Sequence, residues 1–323
     1  MNIKKLISIA GSLLMLVSLV FIGQRLIQYG IDFSIITTTV AIGLAVVIIF
    51  EASIILLAGL NYRALVTNIS GVKFPASLGM VVYSLSNVYK YIPGGLLYFA
   101  GRNRLAVEVK GLSHTKVALA TVLEAVLFVV TCVALIAALV FDHFLSYLGN
   151  RAGLIFSIVA AVILLIAVLA FIFHRRISKM FADIEMPGCM GEQFEIRTPQ
   201  GFGFQTTSPL WPMIIKRLLN TFMLMVLWGA AFATAITVLG QPMSFGLFKQ
   251  IMGLYSLAWL VGYITPGAPS GIGIREAIIL MFMGGIMDES FVISAMMMHR
   301  VVAISGDVLA YATARGIAVF YKS

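Results

Sequence analysis

Two stretches of similar sequence decide the fold: YSLSNVYKYIPGG at residues 83–95 and YSLAWLVGYITPG at residues 255–267. In both, two tyrosines stand eight residues apart, a Pro-Gly pair follows, and an arginine comes nine residues after the proline. The offset between the copies is 172 or 173 residues throughout, which indicates an internal repeat. Each copy lies in a long apolar segment that Pro and Gly interrupt, at 74–100 and 244–284. We predict a re-entrant, broken helical hairpin in each segment.

The composition of the whole chain places these segments in a membrane. Of the 323 residues, 61% are hydrophobic and 11% are charged, and the mean hydropathy is +1.03. A soluble domain carries about 25% charged residues, so this chain has too little polar surface to cover a water-soluble globule. The net charge of +9 is spread over the loops, which excludes a nucleic-acid-binding protein. The chain is therefore predicted to be an all-α integral membrane protein.

About six other segments are long and apolar enough to cross a bilayer, for which a helix needs about 20 residues. The first follows Lys4 and Lys5 and resembles a signal peptide, but no small-residue cleavage site follows it, so we predict a retained helix. The predicted spans are 6–27, 33–60, 117–141, 152–173, 214–239 and 291–320.

The distribution of Lys and Arg predicts the orientation, because cytoplasmic loops carry an excess of basic residues. If segment 74–100 enters and leaves on one side, Arg102, Arg104 and Lys116 all fall in the cytoplasm. Both termini are then cytoplasmic, and the two hairpins enter the cytoplasmic membrane from opposite sides. The prediction is an inverted repeat, which is typical of transporters that bind substrate near the midplane. The alternative, in which Pro and Gly only kink ordinary membrane helices, stays open.

The chain divides into an N-terminal membrane half at 1–173, a polar connector at 174–212 and a C-terminal membrane part at 213–323. The second repeat starts near residue 152. The connector is rich in Pro and Gly and is predicted to be irregular and cytoplasmic. We interpret it as a linker between the halves, with a docking site for a partner protein as the alternative.

Basic residues accompany both predicted breaks. A broken helix exposes backbone N–H groups at the start of its second half, and an arginine can hold a phosphate through two parallel hydrogen bonds. We therefore expect an anionic lipid headgroup to bind there. Alternatively, the arginines of the first hairpin anchor it at the interface, and the Arg-Glu pair of the second forms a local ion pair. The predicted headgroup-binding residues are Lys90, Arg102, Arg104, Arg275, Glu276 and Arg300.

The turns between the hairpin arms are predicted to act as hinges. Glycine permits backbone conformations and close approaches that other residues do not, and proline interrupts a helix. The predicted hinge and turn residues are Pro93, Gly94, Gly95, Pro266, Gly267, Pro269, Gly271 and Gly273.

Acidic residues within the spans form a third set of candidates. A charged group at membrane depth costs at least about 2.5–3.5 kcal/mol, so it usually faces a cavity or a partner. Arg300 and Asp307 are seven residues apart and share one helix face, while Arg300 could equally meet Glu124. The pairing stays open at this stage. We predict proton coupling at Glu51, Glu124 or Asp307, with a structural ion pair as the alternative.

The sequence offers little for an enzyme and predicts no cofactor or metal. It has no acidic cluster for a divalent cation and no Gly-rich Lys-Ser/Thr nucleotide loop. Its two cysteines, Cys132 and Cys189, fall in different environments and predict neither a disulfide nor a metal site. Ser270 with His299 suggests an intramembrane serine protease, but the serine lacks a Gly-x-Ser-x-Gly motif.

Several of these motifs together resemble the lysylphosphatidylglycerol synthase transmembrane-region, or flippase-like, family. They are KYIPGG at 90–95, Gly101-Arg102, Gly111, PGAPSGIGIREA at 266–277, and Arg300 in the last span. The resemblance covers nearly the whole chain. Ser270 stands where the family pattern leads us to expect glycine. The residues that match the family motifs by position are Lys90, Pro93, Gly94, Arg102, Pro266, Gly267, Gly271, Gly273, Arg275, Glu276 and Arg300.

The resemblance implies lipid translocation. Larger members carry a soluble aminoacyl transferase domain, which these 323 residues do not contain, so synthase activity is not carried over. We expect a flippase for an anionic phospholipid or a polyprenyl-linked sugar. The alternatives are a non-transporting accessory subunit of a lipid-modifying enzyme or glycosyltransferase, and an intramembrane enzyme that acts on a polyprenyl phosphate. Whether the protein forms a homo-oligomer stays open.

Overall fold

A computed structural model describes residues 24, 37–91, 97–107, 112–140, 210–265 and 269–320. Within these ranges the fold is entirely helical, with eight α-helices, two short 3₁₀ helices and no β-strand. The α-helices are α1 (Thr38–Ser70), α2 (Ala76–Asn87), α3 (Leu97–Val107), α4 (His114–Leu139), α5 (Leu210–Val238), α6 (Phe245–Ile264), α7 (Ile274–Met283) and α8 (Glu289–Phe320).

Five of the described helices are long and apolar enough to cross a membrane, as expected of a multi-pass membrane protein. Four of them, α1, α4, α5 and α8, confirm the predicted apolar spans at 33–60, 117–141, 214–239 and 291–320. Helix α1 continues past the predicted end to Ser70. The fifth is α6, the first arm of the second broken segment. The predicted spans 6–27 and 152–173 and nearly all of the connector 174–212 lie outside the described residues.

Polar side chains fix where several helices begin. The hydroxyl groups of Thr37, Ser113 and Ser244 accept hydrogen bonds from backbone N–H groups in the first turns of α1, α4 and α6. Asp288 does the same for α8, and hydrogen bonds from Ser290 and the backbone hold the pKa of its carboxyl group below the usual range. Helix α1 ends at Gly71, whose φ of 73° is in the left-handed region that glycine tolerates.

The helix is interrupted in both repeat segments, as predicted. In the first, α2 continues into a 3₁₀ helix at Val88–Tyr91, and α3 follows. In the second, α6 ends at Ile264 and a 3₁₀ helix at Pro269–Gly271 leads into α7. The predicted turn residues Pro93, Gly94, Gly95, Pro266 and Gly267 lie outside the described residues.

The turn before α7 depends on left-handed backbone conformations. Gly271 and Gly273 have φ angles of 66° and 86°, which suits glycine. Ser270 has a φ of 52°, a region that non-glycine residues seldom adopt. The structure therefore gives a physical reason to expect glycine at position 270.

Cross-helix contacts show which helix ends lie together. Lys116 near the start of α4 donates to the carbonyl of Ser70 at the end of α1, and Arg217 near the start of α5 donates to Asn61 of α1. Helix α2 starts at this same end, whereas α6 follows α5 and starts at the opposite end. We call the first end the basic end, because it carries Arg63, Lys73, Lys116, Lys216 and Arg217.

Candidate functional site

A cavity of about 170 Å³ lies between the two broken segments and α8. Eight charged side chains, a histidine and a set of aromatic rings line it. The aromatic part of its wall includes Trp228 and Trp259, whose rings stack with centroids 5.5 Å apart. The lining charged residues are Glu51, Lys90, Arg102, Glu124, Arg275, Glu276, Arg300 and Asp307, together with His299.

Arg275, at the start of α7, projects towards the cavity and packs on an aromatic face. Its guanidinium carbon lies 3.5 Å from the centroid of the Trp259 ring, a cation–π contact. The side chain is accommodated by two glycines, since a Cβ at Gly262 would lie 2.8 Å from its Nε and one at Gly271 would lie 2.7 Å from it. Within the described residues, Nε has no hydrogen-bond partner and Arg275 forms no ion pair.

Arg102, the matching arginine of the first repeat, has very different surroundings. It is 1% exposed and forms an ion pair with Glu124 of α4. Its Nε donates to the Ser86 hydroxyl at 3.3 Å, and its guanidinium carbon lies 3.9 Å from the ring centroid of Tyr83. Both charges are therefore neutralised inside a polar and aromatic shell.

The carboxylate of Asp307 in α8 contacts three hydrogen-bond donors from the first broken segment. Its carboxylate lies 2.7 Å from Lys90 Nζ and accepts a hydrogen bond from Asn87 Nδ2 at 2.6 Å. The hydroxyl of Tyr91 donates to its other oxygen. These contacts hold the end of the first arm against α8.

Glu276 links the second broken segment to α8 as well. One carboxylate oxygen accepts a hydrogen bond from the backbone N–H of Gly273 at 2.8 Å, which caps α7. The other oxygen lies 2.8 Å from Arg300 Nη2, although the angle does not suit a hydrogen bond. Arg300 and Asp307 thus attach one broken segment each to α8, with opposite charges.

Glu51 of α1 and His299 of α8 form the remaining polar contact. Glu51 Oε1 and His299 Nε2 are 3.4 Å apart, and neither atom has a hydrogen-bond partner. The imidazole packs edge-on against Phe232 and Tyr255, with centroid distances of 4.8 and 5.8 Å. The pair is enclosed by apolar surfaces on one side and opens to the cavity on the other.

Among the described charged side chains that line the cavity, three cations and three carboxylates form ion pairs, and Arg275 and Glu51 do not pair with an opposite charge of this kind. Lys90, Arg102 and Arg300 each face a carboxylate, and Glu51 faces a histidine. Arg275 is the fourth lining cation and has no carboxylate partner among the described residues. It is therefore the group of this wall best placed to receive an anion from the cavity.

The structure brings most of the predicted site residues together. Five of the six predicted headgroup-binding residues line the cavity, as do all three predicted proton-coupling residues and Gly271. Arg104 is exposed on the other face of α3 and does not line it. The contacts also settle the open pairings, because Glu124 meets Arg102, and Arg300 meets Glu276 and not Asp307. The local ion pair between Arg275 and Glu276 is not formed.

Several lining residues carried no prediction. In the alignment of the two repeats, Trp259 stands opposite Asn87, 172 residues earlier. This difference between the copies could have suggested that their binding sites differ. His299 is one of the ionisable residues within the predicted spans and a possible partner for Ser270, but it is not among the predicted site residues. No group of three or more metal-ligating side chains lies within the described ranges.

No family model matches the chain, and no curated protein matches it. The resemblance to the flippase-like family therefore stays a prediction from the motifs.

Proposed function

We propose that the protein moves a lipid with an anionic headgroup across the cytoplasmic membrane, and that Arg275 binds the headgroup phosphate in the cavity. The observation that supports this most is the lack of a carboxylate partner for Arg275, beside three lining cations that each have one. A buried charge without a partner is costly, and a charge at membrane depth usually marks a ligand site. A phosphate bound at the edge of the guanidinium would supply the missing counter-charge and hydrogen-bond acceptor.

The chemistry of the guanidinium favours a phosphate as the ligand. Arginine offers planar N–H donors that match a phosphate through two parallel hydrogen bonds. Trp259 covers one face of the group, so the ligand must approach its edge, where Nε has no hydrogen-bond partner. The cavity volume of about 170 Å³ is close to that of a cavity of about 150 Å³ that holds benzene. That size suits a small headgroup, while the acyl chains would stay outside.

The outer surface is suited to contact with acyl chains. Ile42, Val46 and Ile49 are each about 60% exposed and follow one another along one face of α1. A lipid could keep its chains against such a face while its headgroup passes through the protein.

For the mechanism we propose the inverted repeat of six spans and two re-entrant hairpins. The two broken segments start at opposite ends of the helix bundle, and the cavity lies between them. In an inverted repeat, exchanging the conformations of the halves opens the site alternately to the two sides. The contacts of Asp307 and Arg300 would then couple both hairpins to α8. Protonation of Glu51, next to His299, is our candidate for coupling to a proton gradient.

The test is reconstitution of the full chain into liposomes with a fluorescent phosphatidylglycerol, a fluorescent phosphatidylcholine and a lipid-linked sugar. A quencher added outside measures leaflet exchange of each reporter. We expect faster exchange of an anionic reporter than of the zwitterionic one, and loss of this preference in Arg275→Gln. Lys249→Gln is the matched control, because it removes one positive charge from an exposed position of α6.

Two results would contradict the proposal. Absence of exchange by a folded wild type would favour the accessory-subunit alternative, and conversion of the lipid-linked reporter into a new product would favour the enzyme.

A further inference from the structure

A second arginine without a carboxylate partner lies at the basic end, close to the cavity. Arg217 of α5 is 7% exposed, and its Nη1 donates to Asn61 Oδ1 of α1 at 3.2 Å. Asn61 Nδ2 in turn donates to the Thr221 hydroxyl at 3.2 Å, and Thr221 donates to the carbonyl of Arg217 at 2.9 Å. These three residues form a closed polar group, which we call the Arg217 cluster.

The cluster leaves the charge of Arg217 uncompensated. Its Nε is buried and has no hydrogen-bond partner, and no carboxylate forms an ion pair with it in the part of the chain that the structure describes. Another guanidinium, that of Arg63, acts electrostatically on Arg217 and donates to the carbonyl of Phe74. Two neighbouring cations without an anion are unfavourable in a buried setting. An anionic ligand would remove that penalty.

The position of the cluster relates it to the cavity. Asn61 and Thr221 both line the cavity, so Arg217 lies one hydrogen bond behind its wall. Arg217 is on the side of the basic end, whereas Arg275 belongs to the broken segment that starts at the opposite end. One of the two arginines without a carboxylate partner therefore lines the cavity, and the other lies just behind its wall.

We propose that the Arg217 cluster is a second phosphate-binding site, at the basic end and behind the cavity wall, which a headgroup occupies before or after it binds Arg275. Rotation of the Asn61 amide would free Nη1 of Arg217, so that a phosphate binds the guanidinium at Nη1 together with the Asn61 amide N–H. The inference deepens the proposed function and rests on it for the identity of the ligand. The ligand chemistry is a phosphate group, carried by a lipid headgroup or free in solution.

The test measures binding and not transport. The unfolding temperature of the detergent-purified full chain is followed against increasing dioctanoyl phosphatidylglycerol, dioctanoyl phosphatidylcholine and inorganic phosphate. The variants are Arg275→Gln, Arg217→Gln, the double variant and Arg217→Lys. Lys73→Gln is the control, since it removes an exposed charge from the same basic end.

We expect Arg275→Gln to keep a saturable stabilisation by the anionic lipid, which the additional Arg217→Gln removes. Arg217→Gln alone should raise the half-saturating lipid concentration of the Arg217 site about tenfold or more, because each charge-assisted hydrogen bond contributes that much. Arg217→Lys should give an intermediate value and keeps the test decisive if the glutamine variant unfolds. Stabilisation by inorganic phosphate alone would identify free phosphate as the ligand.

The inference is overturned if Arg275→Gln abolishes all stabilisation, or if Arg217→Gln and Lys73→Gln bind the ligands equally. Failure of the transport proposal looks different, because the wild type would then show no leaflet exchange while its Arg217-dependent stabilisation persisted.

Discussion

At the scale of single residues, Arg102 and Arg275 occupy equivalent positions of the repeat and differ in their neighbours. Arg102 is enclosed by Glu124, Ser86 and tyrosine rings, whereas Arg275 contacts the face of Trp259 and has a free Nε. Equivalent sequence positions therefore do not imply equivalent roles. We expect Arg102 to stabilise the fold and Arg275 to bind the ligand.

This difference predicts opposite effects on stability. Glu124→Leu leaves the Arg102 charge buried and unpaired, which should cost about 3–5 kcal/mol, while the double variant Arg102→Met/Glu124→Leu should recover most of the loss. Arg275→Gln removes an unpaired charge and should not lower stability. Thermal unfolding in detergent measures all three. A wild-type unfolding temperature for Glu124→Leu would show that the ion pair contributes nothing.

The glycines around Arg275 give a second prediction. An alanine Cβ at position 262 would lie 2.8 Å from both Cγ and Nε of Arg275, so Gly262→Ala should displace the guanidinium from Trp259. Anionic lipid exchange should fall towards the Arg275→Gln value while the protein stays folded, since alanine favours the helix. Gly246→Ala in the same helix is the control, because the nearest atom to its Cβ is 4.0 Å away. Normal exchange by Gly262→Ala would mean that the position of Arg275 is not critical.

The sequence predicted which residues gather but not which of them pair. The repeat and the cost of charge in a membrane were enough to select Lys90, Arg275 and Asp307. Their partners depend on which helix faces pack together, and that information is not present in any one segment. Thus the sequence offered a local pair of Glu276 with Arg275 as one alternative, whereas α8 brings Arg300 to Glu276.

At the scale of elements, α8 is the helix on which both broken segments converge. It also packs closely on α1, because a Cβ at Gly306 would lie 2.7 Å from Glu51 Cβ and 3.4 Å from the Ala52 backbone nitrogen. This close contact places Glu51 opposite His299.

The close packing of α8 predicts a difference between two of its glycines. Gly306→Ala should lower the unfolding temperature, because overpacking costs about 1–3 kcal/mol and exceeds the gain in helix propensity of about 1 kcal/mol or less. Gly316→Ala should leave it unchanged or raise it, since no atom lies within 4 Å of its Cβ. Equal unfolding temperatures for the two variants would contradict the close contact between α1 and α8.

Elements were the best predicted part of the fold. The apolar lengths of α1, α4, α5 and α8 are local signals, and all four segments appear as long helices. On both sides of the Pro-Gly residues, the described chain forms separate helical elements. The end of α1 was misplaced by hydropathy, because its last turns carry the polar residues Arg63 and Asn68 inside a helix that continues to Ser70.

At the scale of the whole molecule, the basic end and the opposite end differ in charge. The basic end carries Lys73, Lys116 and Arg217, whereas the opposite end carries Asp288 and Glu289. The rule that cytoplasmic loops are basic predicts that the basic end faces the cytoplasm.

Cysteine labelling tests this orientation. In a Cys189→Ser background, Lys73→Cys should react with a membrane-impermeant maleimide only in inverted membrane vesicles, and Lys249→Cys only in intact cells. Both lysines are exposed, and the remaining native Cys132 is buried. Labelling of Lys73→Cys in intact cells would reverse the orientation. Labelling of both positions from one side would contradict the opposite placement of the two ends.

The central claim is that a headgroup phosphate binds to Arg275 inside the cavity, and the most direct test is to locate that phosphate. We would determine cryo-electron microscopy structures of the wild type and of Arg275→Gln in nanodiscs of phosphatidylglycerol. The account predicts phosphate density within hydrogen-bonding distance of Arg275 Nε in the wild type, and none at that position in the variant. Phosphate density confined to the outer surface of the helices, with the same cavity content in both proteins, would contradict it.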